Sequence, residues 1–597
     1  MSSAADTYVL LRALVDELAR CGMRAACTAP GSRCAPLVLT LANEQRVRCF
    51  SHVDERCAGF FALGLAKASG LPVAVACTSG TAAAELLPAA VEAREARVPL
   101  LLLTADRPPE LRESGAGQTI DQLKLYGCAA KWFFEVGVHE AGPQALRWIR
   151  GLACRAYWTA LEGRPGVVHL NFPLREPLVC DSELPADTSG RHEGRPHVRR
   201  DPARLHRDAA MRELHELVDR ARRGVVVAGR DERAGPPPAG PTEPRSVGEA
   251  AAGFAAAAGW PVLADPLSGG RRGGAAIAHY DLLLRDRAFA DSVRPDLVIR
   301  AGDLPTSKPL RTWLAALDEA PQVMLDPEGA WQDPAGVAAH SLALDAAVAL
   351  AELARTPSPA QPQWLAAWRE ADEAAAGAVM RALAETGLSE PAVAAELGVL
   401  LPEEATLFAA SSMPVREIEA FWPARPDPPR VLCNRGANGI DGTVSAAFGA
   451  AADGRGPVVL LIGDVALAHD IGGLLAARRL ALSLTIVLLD NGGGAIFDFL
   501  PIASAPMALA DDIYTRHVAT PTGLDFALAA SLYGLAHERV SDVRGLRGAL
   551  ERALARDGTS IVEVRTRRDA NLALHQRIWS ETAAALSRPA AEAGPRA

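Results

Sequence analysis

The chain has 597 residues, 49% of them apolar and 22% charged, enough apolar sequence for several buried cores, which excludes a wholly disordered chain. Lys and Arg number 62 against 71 Asp and Glu, a formal charge of −9, and this argues against a nucleic-acid partner, whose phosphates favour a basic surface. The longest apolar runs, around 98–105 and 480–489, fall well short of the roughly 18–20 residues that span a bilayer.

At about 100–200 residues per domain, the length predicts three to five units. The opening segment lacks a basic leader; Leu11, Leu14, Val15 and Leu18 share one helical face, with Asp6 or Thr7 to start the helix and Gly22 to end it, so it reads as a first helix and not a signal peptide. Up to about residue 180, strands and helices alternate. Strands are expected at 24–28, 47–50, 71–77 and 98–105, a helix at Cys57–Ser69, and turns at Ala29–Arg33, Thr78–Thr81 and Asp106–Pro109. Near-continuous apolar strands joined by helices indicate a parallel sheet covered on both faces. Residues 181–207 are charged and irregular and read as a linker. A second unit over 208–352 has strands at 224–228, 262–264, 297–301 and 323–325, and a Pro- and Gly-rich exposed loop at 234–246. The run Thr356–Pro362 marks a second linker, a third unit covers 365–585, and a frayed tail is expected from Ser587. The fold class is therefore α/β, with three doubly wound parallel-sheet domains, and ligands are expected in loops at the carboxyl ends of strands. The ten cysteines form no CxxC, the closest pair being Cys21 and Cys27, as expected of reduced thiols in a cytoplasmic protein.

The third unit holds the most informative pattern. An apolar strand at 457–462 ends in Gly463-Asp464; a helix follows with Ile471, Leu474 and Leu475 on one face; a second apolar strand ends in Asp490-Asn491 ahead of Gly492, Gly493 and Gly494. Asp464 and Asn491 are one strand–helix–strand crossover apart, so neighbouring parallel strands would deliver a carboxylate and an amide oxygen to one edge of the sheet. Mg²⁺ takes oxygens of this kind together with substrate phosphates, and the glycines let a backbone carbonyl, that of Gly493, approach. Taken singly, Asp464 reads equally as a helix cap and Asn491-Gly492 as a tight turn.

This arrangement resembles the thiamin-diphosphate enzymes. The resemblance implies that Asp464, Asn491 and the Gly493 carbonyl hold Mg²⁺, with Mn²⁺ as an alternative, on the cofactor's diphosphate. It also implies a pyrimidine-binding first domain, a central domain and a diphosphate-binding third domain. Two departures from the commonest signature are Val465 after Gly463-Asp464 and Asp490 before Asn491, and neither removes a ligand. The segment His52–Arg56 looks like the family's second element, which makes Glu55 the acid that hydrogen-bonds the cofactor's aminopyrimidine and drives its activating proton shift. Because that acid serves the partner subunit's cofactor, a homodimer or a dimer of dimers is implied.

Further segments resemble the menaquinone-pathway branch of the family: Ala29–Pro36, Thr104–Glu110, Gly115–Gln118, Ser307–Leu310, Ser412–Arg416, Asn434–Gly442 and Asn491–Phe497. That branch implies decarboxylation of 2-oxoglutarate and 1,4-addition of the succinyl carbanion to isochorismate. Both substrates are dianions and call for fixed cations, Arg above all. The loops supply Arg33, Arg107, Lys308, Arg416 and Arg435, with Ser32, Gln118 and Ser412 as neutral partners, although each cation taken alone also fits a surface salt bridge. By resemblance Ile440 is the wedge that holds the cofactor bent and Phe497 lines the substrate pocket; each reads otherwise as a core residue. The rival expectations are another thiamin-diphosphate carboligase or 2-oxo acid decarboxylase, and a non-catalytic protein that kept the fold.

Overall fold

The computed structural model describes residues 3–181, 183–200, 208–232, 246–358, 360–509 and 512–587. The end of the first linker (201–207), nearly all of the loop at 234–246 and the tail beyond Ser587 lie outside the described residues.

Three sheets carry the fold, and every strand pairing within them is parallel. The first contains β1 (Ala25–Thr28), β2 (Arg48–Ser51), β3 (Val73–Cys77), β4 (Leu100–Asp106), β5 (Ala130–Glu135) and β6 (Val167–Pro173), in the order β2-β1-β3-β4-β6-β5. The second contains β7 (Gly224–Ala228), β8 (Val262–Ala264), β9 (Leu297–Ala301), β10 (Gln322–Leu325) and β11 (Ala338–Leu342), in the order β11-β10-β9-β7-β8. The third contains β12 (Thr406–Ala409), β13 (Arg430–Leu432), β14 (Val458–Gly463), β15 (Thr485–Asp490), β16 (Ala536–Val540) and β17 (Ser560–Arg565), in the order β13-β12-β14-β15-β17-β16. The α/β expectation is borne out. Strands β3, β4 and β6 are buried along their whole length, which is why Val73–Cys77 and the start of β4 read as unbroken apolar runs, while β6 buries His169 and Asn171 among its apolar residues. Among the described residues no helix is long and apolar enough to cross a membrane.

The chain forms two compact units. The first comprises Met1–Ala203, Asn434–Arg455 and His469–Leu484; the second comprises Arg204–Cys433, Gly456–Ala468 and Thr485–Ala597. In the first unit the helix Glu55–Ser69 packs on the helix Thr443–Asp453, and glycine makes the approach close. A Cβ on Gly64 would lie 1.9 Å from the Ala446 carbonyl oxygen, and one on Gly449 would lie 2.0 Å from that of Phe61. The remaining core of this unit sets Leu14 and Leu18 of the opening helix against Leu101, Leu103 and Leu170 of the sheet. In the second unit one core gathers round Val226, Ile299 and Trp260, and another round Leu407, Val459 and Val487.

Three local expectations change. The opening helix runs Ala4–Cys21 and is capped by Ser3, whose hydroxyl accepts from the Asp6 amide while the Asp6 carboxylate accepts from the Ser3 amide. The helix expected from Cys57 begins at Glu55, because the Asp54 carboxylate accepts from the Arg56 and Cys57 amides at 2.8 and 3.3 Å and so caps two residues earlier. The single helix expected after Asp464 is broken into Asp464–His469, a 3₁₀ turn Ile471–Leu474 and Leu475–Arg479. Asp470 turns its carboxylate to the Ser445 amide at 2.8 Å, and a Cβ on Gly473 would lie 2.7 Å from the Ser445 hydroxyl. The break leaves Leu475 exposed, off the buried face assigned to it.

Candidate active site

In the first unit three adjacent strand ends meet. The loop after β1 brings Gly31 so close to Thr78, in the loop after β3, that a Cβ there would lie 2.4 Å from the Thr78 side chain. Arg33, next along, is buried and donates to the Leu174 carbonyl and the Glu176 carboxylate, both at 2.9 Å, while Ser32 beside it is exposed. Arg107, at the end of β4, donates to the Ser79 hydroxyl. Gln118 donates to the Ser79 carbonyl and accepts the Ser79 hydroxyl proton at its own carbonyl, both at 2.9 Å. Burial depresses the Arg107 pKa, and the charge of Arg33 depresses it further. The carboxylates of Asp106 and Glu176 oppose this depression, and Glu176 pairs with Arg33 at 2.9 Å.

This cluster rests on buried polar side chains. The Gln122 amide donates to the Ala105 carbonyl at 3.1 Å and to Asn171 at 3.0 Å, and accepts the Gly80 amide proton at 3.0 Å. Asn171 also accepts from Thr104 at 2.8 Å and donates to Asp106 at 2.9 Å. Ser79 lies inside the turn expected at Thr78–Thr81 but carries no functional signal of its own, and Gln122 has no local signal in the sequence.

Glu55 is the first residue of its helix and is half-buried. Burial raises its pKa, and the carboxylates of Asp54 and Glu85 add to the rise. His52, three residues earlier, is held near 4 by burial and by the charge of Arg479, and it packs on Phe61 at 4.7 Å. In the same unit, the loop carrying Arg435 and Ile440 is held by the buried Glu92, which accepts from the Gly436 and Ala437 amides at 2.9 and 2.6 Å. Arg435 is buried and Ile440 is partly so. The loop borders a cavity of about 290 Å³ lined by Phe60, Leu87, Val91, Glu92, Asn434 and Gly439 among others.

In the second unit β14 and β15 run in parallel register from Val459 beside Thr485 to Gly463 beside Leu489, so Asp464 and Asn491 leave the sheet at one edge. Asp464 is 2% exposed. Burial pushes its pKa up to about 6, the charge of Asp490 adds to this, and hydrogen bonds from the Val465 and Gly493 amides oppose it. The Asn491 amide nitrogen donates to Glu390 at 2.9 Å, and its Oδ1 is buried with no hydrogen-bond partner among the described residues. Gly492 and Gly493 have φ of 76° and 130°, in the region that favours glycine, and a Cβ on Gly493 would lie 2.5 Å from the Ala519 carbonyl oxygen. A buried carboxylate that resists ionising beside an amide oxygen with nothing to accept fits a hard divalent cation. Of the expected trio, Asp464 meets the amide of Gly493, not its carbonyl, and that carbonyl accepts from the Ala495 amide at 2.9 Å.

The other expected residues of this unit stand on separate elements. Lys308 is exposed at the start of the helix Lys308–Ala315, where Ser307 caps. Ser412, with φ of 73°, precedes the helix Met413–Phe421, and Arg416 donates to its carbonyl. Phe497 is partly exposed in a 3₁₀ turn, with its ring over Gly494.

Three family models match the chain: "Thiamine pyrophosphate enzyme, N-terminal TPP binding domain" over residues 10–125, "Middle domain of thiamine pyrophosphate" over 192–409, and "Thiamine pyrophosphate enzyme, C-terminal TPP binding domain" over 415–564. Similar proteins include the 2-succinyl-5-enolpyruvyl-6-hydroxy-3-cyclohexene-1-carboxylate synthases of three bacteria. The one from Geobacillus kaustophilus is 42% identical, covering 98% of this chain and 99% of the relative. The one from Chloroflexus aurantiacus is 41% identical, covering 96% of each. The one from Listeria monocytogenes is 39% identical, covering 96% and 97%.

Proposed function

The chain belongs to the 2-succinyl-5-enolpyruvyl-6-hydroxy-3-cyclohexene-1-carboxylate synthase family of thiamin-diphosphate enzymes, and from that premise we propose how its residues divide the work. It is a thiamin-diphosphate-dependent enzyme of menaquinone biosynthesis. Its reaction, in our reading, is decarboxylation of 2-oxoglutarate followed by 1,4-addition of the remaining four-carbon unit to isochorismate. The observation that carries this reading is the pair of buried oxygens, Asp464 and the partnerless Asn491 Oδ1, at the ends of β14 and β15.

With the Gly493 carbonyl, those oxygens would hold the Mg²⁺ or Mn²⁺ that accompanies the cofactor's diphosphate. Thiamin diphosphate, when bound, supplies the electron sink that lets a 2-oxo acid lose CO₂. Glu55 handles the proton. A carboxyl group whose pKa is raised by burial gives up and retakes a proton near neutral pH more readily than an ordinary surface glutamate. By the family resemblance Ile440 is the residue that keeps the cofactor bent.

Arg33 and Arg107 bind carboxylates, and an incoming dianion relieves their mutual repulsion. Their hydrogen bonds to Glu176, the Leu174 carbonyl and Ser79 hold the two forks in place before substrate arrives. Ser32 and Gln118 extend the polar lining of that cluster in the first unit; Lys308, Ser412, Arg416, Arg435 and Phe497 are assigned to substrate by the family resemblance alone. By the family resemblance Glu55 serves the cofactor held by a partner subunit, which makes the working unit a homodimer or a pair of homodimers. The compartment is the cytoplasm.

The test is incubation with 2-oxoglutarate, isochorismate, thiamin diphosphate and Mg²⁺, followed by mass analysis. The expected product contains isochorismate plus 2-oxoglutarate less CO₂. Turnover of pyruvate with no isochorismate adduct would replace this reading with that of a simpler decarboxylase.

A further inference from the structure

We propose that Glu390 is a positioning residue that fixes which end of the Asn491 side chain faces the cation, and so sets how tightly the metal is held. The inference rests on the reading that Asp464, Asn491 and Gly493 hold that cation.

Glu390 opens the helix Glu390–Leu400 and is 1% exposed. The helix does not need it as a cap, because the Ser389 hydroxyl already accepts from the Ala392 amide. Burying a carboxyl group in this way is costly unless it is hydrogen-bonded. Its Oε1 accepts from the Asn491 amide nitrogen and from the Thr566 hydroxyl, each at 2.9 Å, while Oε2 is buried with no hydrogen-bond partner among the described residues. Thr566 is fixed in turn, its amide donating to the Asp490 carbonyl at 2.9 Å, one residue before Asn491. The nearby acid Glu417 is satisfied elsewhere, by Asn571 at 3.1 Å and His575 at 3.0 Å.

An asparagine amide has a donor end and an acceptor end of nearly the same shape. Turned one way it offers a cation lone pairs; turned the other way it offers two N–H groups. Glu390, an acceptor in this arrangement, takes the nitrogen end. Oδ1 is the end left over, and among the described residues it is buried and unpartnered. Outer-shell partners of metal ligands act through this kind of orientation.

The test is a titration of the full-length protein with Mn²⁺ at saturating thiamin diphosphate, reading the free ion by electron paramagnetic resonance. Glu390→Gln keeps an acceptor oxygen, and its Mn²⁺ affinity should stay close to that of the parent. Glu390→Leu removes the acceptor, and affinity should fall about 10–100-fold. Asn491→Asp presents two equivalent oxygens and needs no orienting, so adding Glu390→Leu to it should cost little further affinity. Parent-like binding by Glu390→Leu would overturn the proposal, as would an equally large loss in the Asn491→Asp background, which would mean that Glu390 acts through packing. A parent protein that binds no Mn²⁺ would overturn the cofactor reading and this proposal together, whereas the first two outcomes would leave that reading standing.

Discussion

The first and third sheets are threaded in the same strand order, so their strand ends can be compared rank by rank. β1 is followed by Ser32-Arg33, and its counterpart β12 by Ser412 and Arg416. β3 leads to Ser79-Gly80, and β14 to Asp464. β4 ends in Asp106-Arg107, and β15 in Asp490-Asn491; β2 is followed by Glu55, and β13 by Arg435 and Ile440. The strand-end carboxylates differ in the same spirit. Asp106 is matched by Arg112 at 2.9 Å, while the Asp490 pKa is raised by burial and by Glu563, with Arg565 at 3.4 Å only partly opposing. One scaffold, used twice, places chemistry at the same edge of each sheet. Residue type then decides what that edge presents: Arg33, Arg107 and Glu55 in the first sheet, Asp464 and Asn491 with Arg416 in the third.

The comparison breaks most visibly if the two edges do not fail differently. Glu55→Gln keeps the shape and loses the proton, so kcat should fall by about 10²–10⁴ while affinity for thiamin diphosphate and Mg²⁺ stays at the parent level. Asp464→Ala should show the reverse emphasis, weakening cofactor binding by more than about 100-fold, beyond the usual cost of losing an outer-shell partner. CO₂ release measures the first effect, and cofactor titration of the apo-protein measures the second. Loss of binding in Glu55→Gln, or cofactor-saturable wild-type affinity in Asp464→Ala, would end the division of labour.

A smaller effect sharpens the cation side. Arg107→Lys keeps the charge but loses the planar fork. A charge-assisted hydrogen bond is worth about 1.5–3 kcal/mol, so KM for 2-oxoglutarate or isochorismate should rise about tenfold or more, with cofactor affinity unchanged. A fall in kcat at constant KM would mean that Arg107 acts on the reaction and not on substrate binding.

What the sequence could reveal follows from how local each signal is. β7, β8 and β9 were legible to the residue because apolar runs bounded by Gly, Pro or charge define a buried strand by themselves. Asp464 and Asn491 were legible because they sit at the ends of such runs. The broken helix after Asp464 was not, since the break is made by Ser445, which meets Asp470 only in the folded chain. Glu390 is the same case: in Ser389-Glu390-Pro391 it reads as an ordinary acidic residue in a first helical turn, and only its tertiary partners Asn491 and Thr566 give it away. Gln122 and Asn171 support the cation loops through bonds between distant strands and turns, a pattern with no period to detect.

The smallest expected effect concerns two buried carboxylates of the first unit, Asp106 and Asp470. Asp106 has its guanidinium partner; Asp470 relies mainly on the Ser445 amide and hydroxyl, and burial pushes its pKa up to about 6, against 3.8 for an ordinary aspartate. A carboxyl group with a raised folded-state pKa binds its proton more tightly folded than unfolded. It therefore burdens the fold above pH 6 and is relieved as the pH falls through 6 toward 4. Asp470→Asn keeps an oxygen for the Ser445 amide but does not titrate. Relative to that variant, the parent should gain about 1 kcal/mol of stability between pH 7 and pH 5, read as a shift in the difference between their Tm values. A difference in Tm that stays constant over this range would mean that Asp470 carries no such burden, and the contrast between a matched and an unmatched buried acid would fall with it.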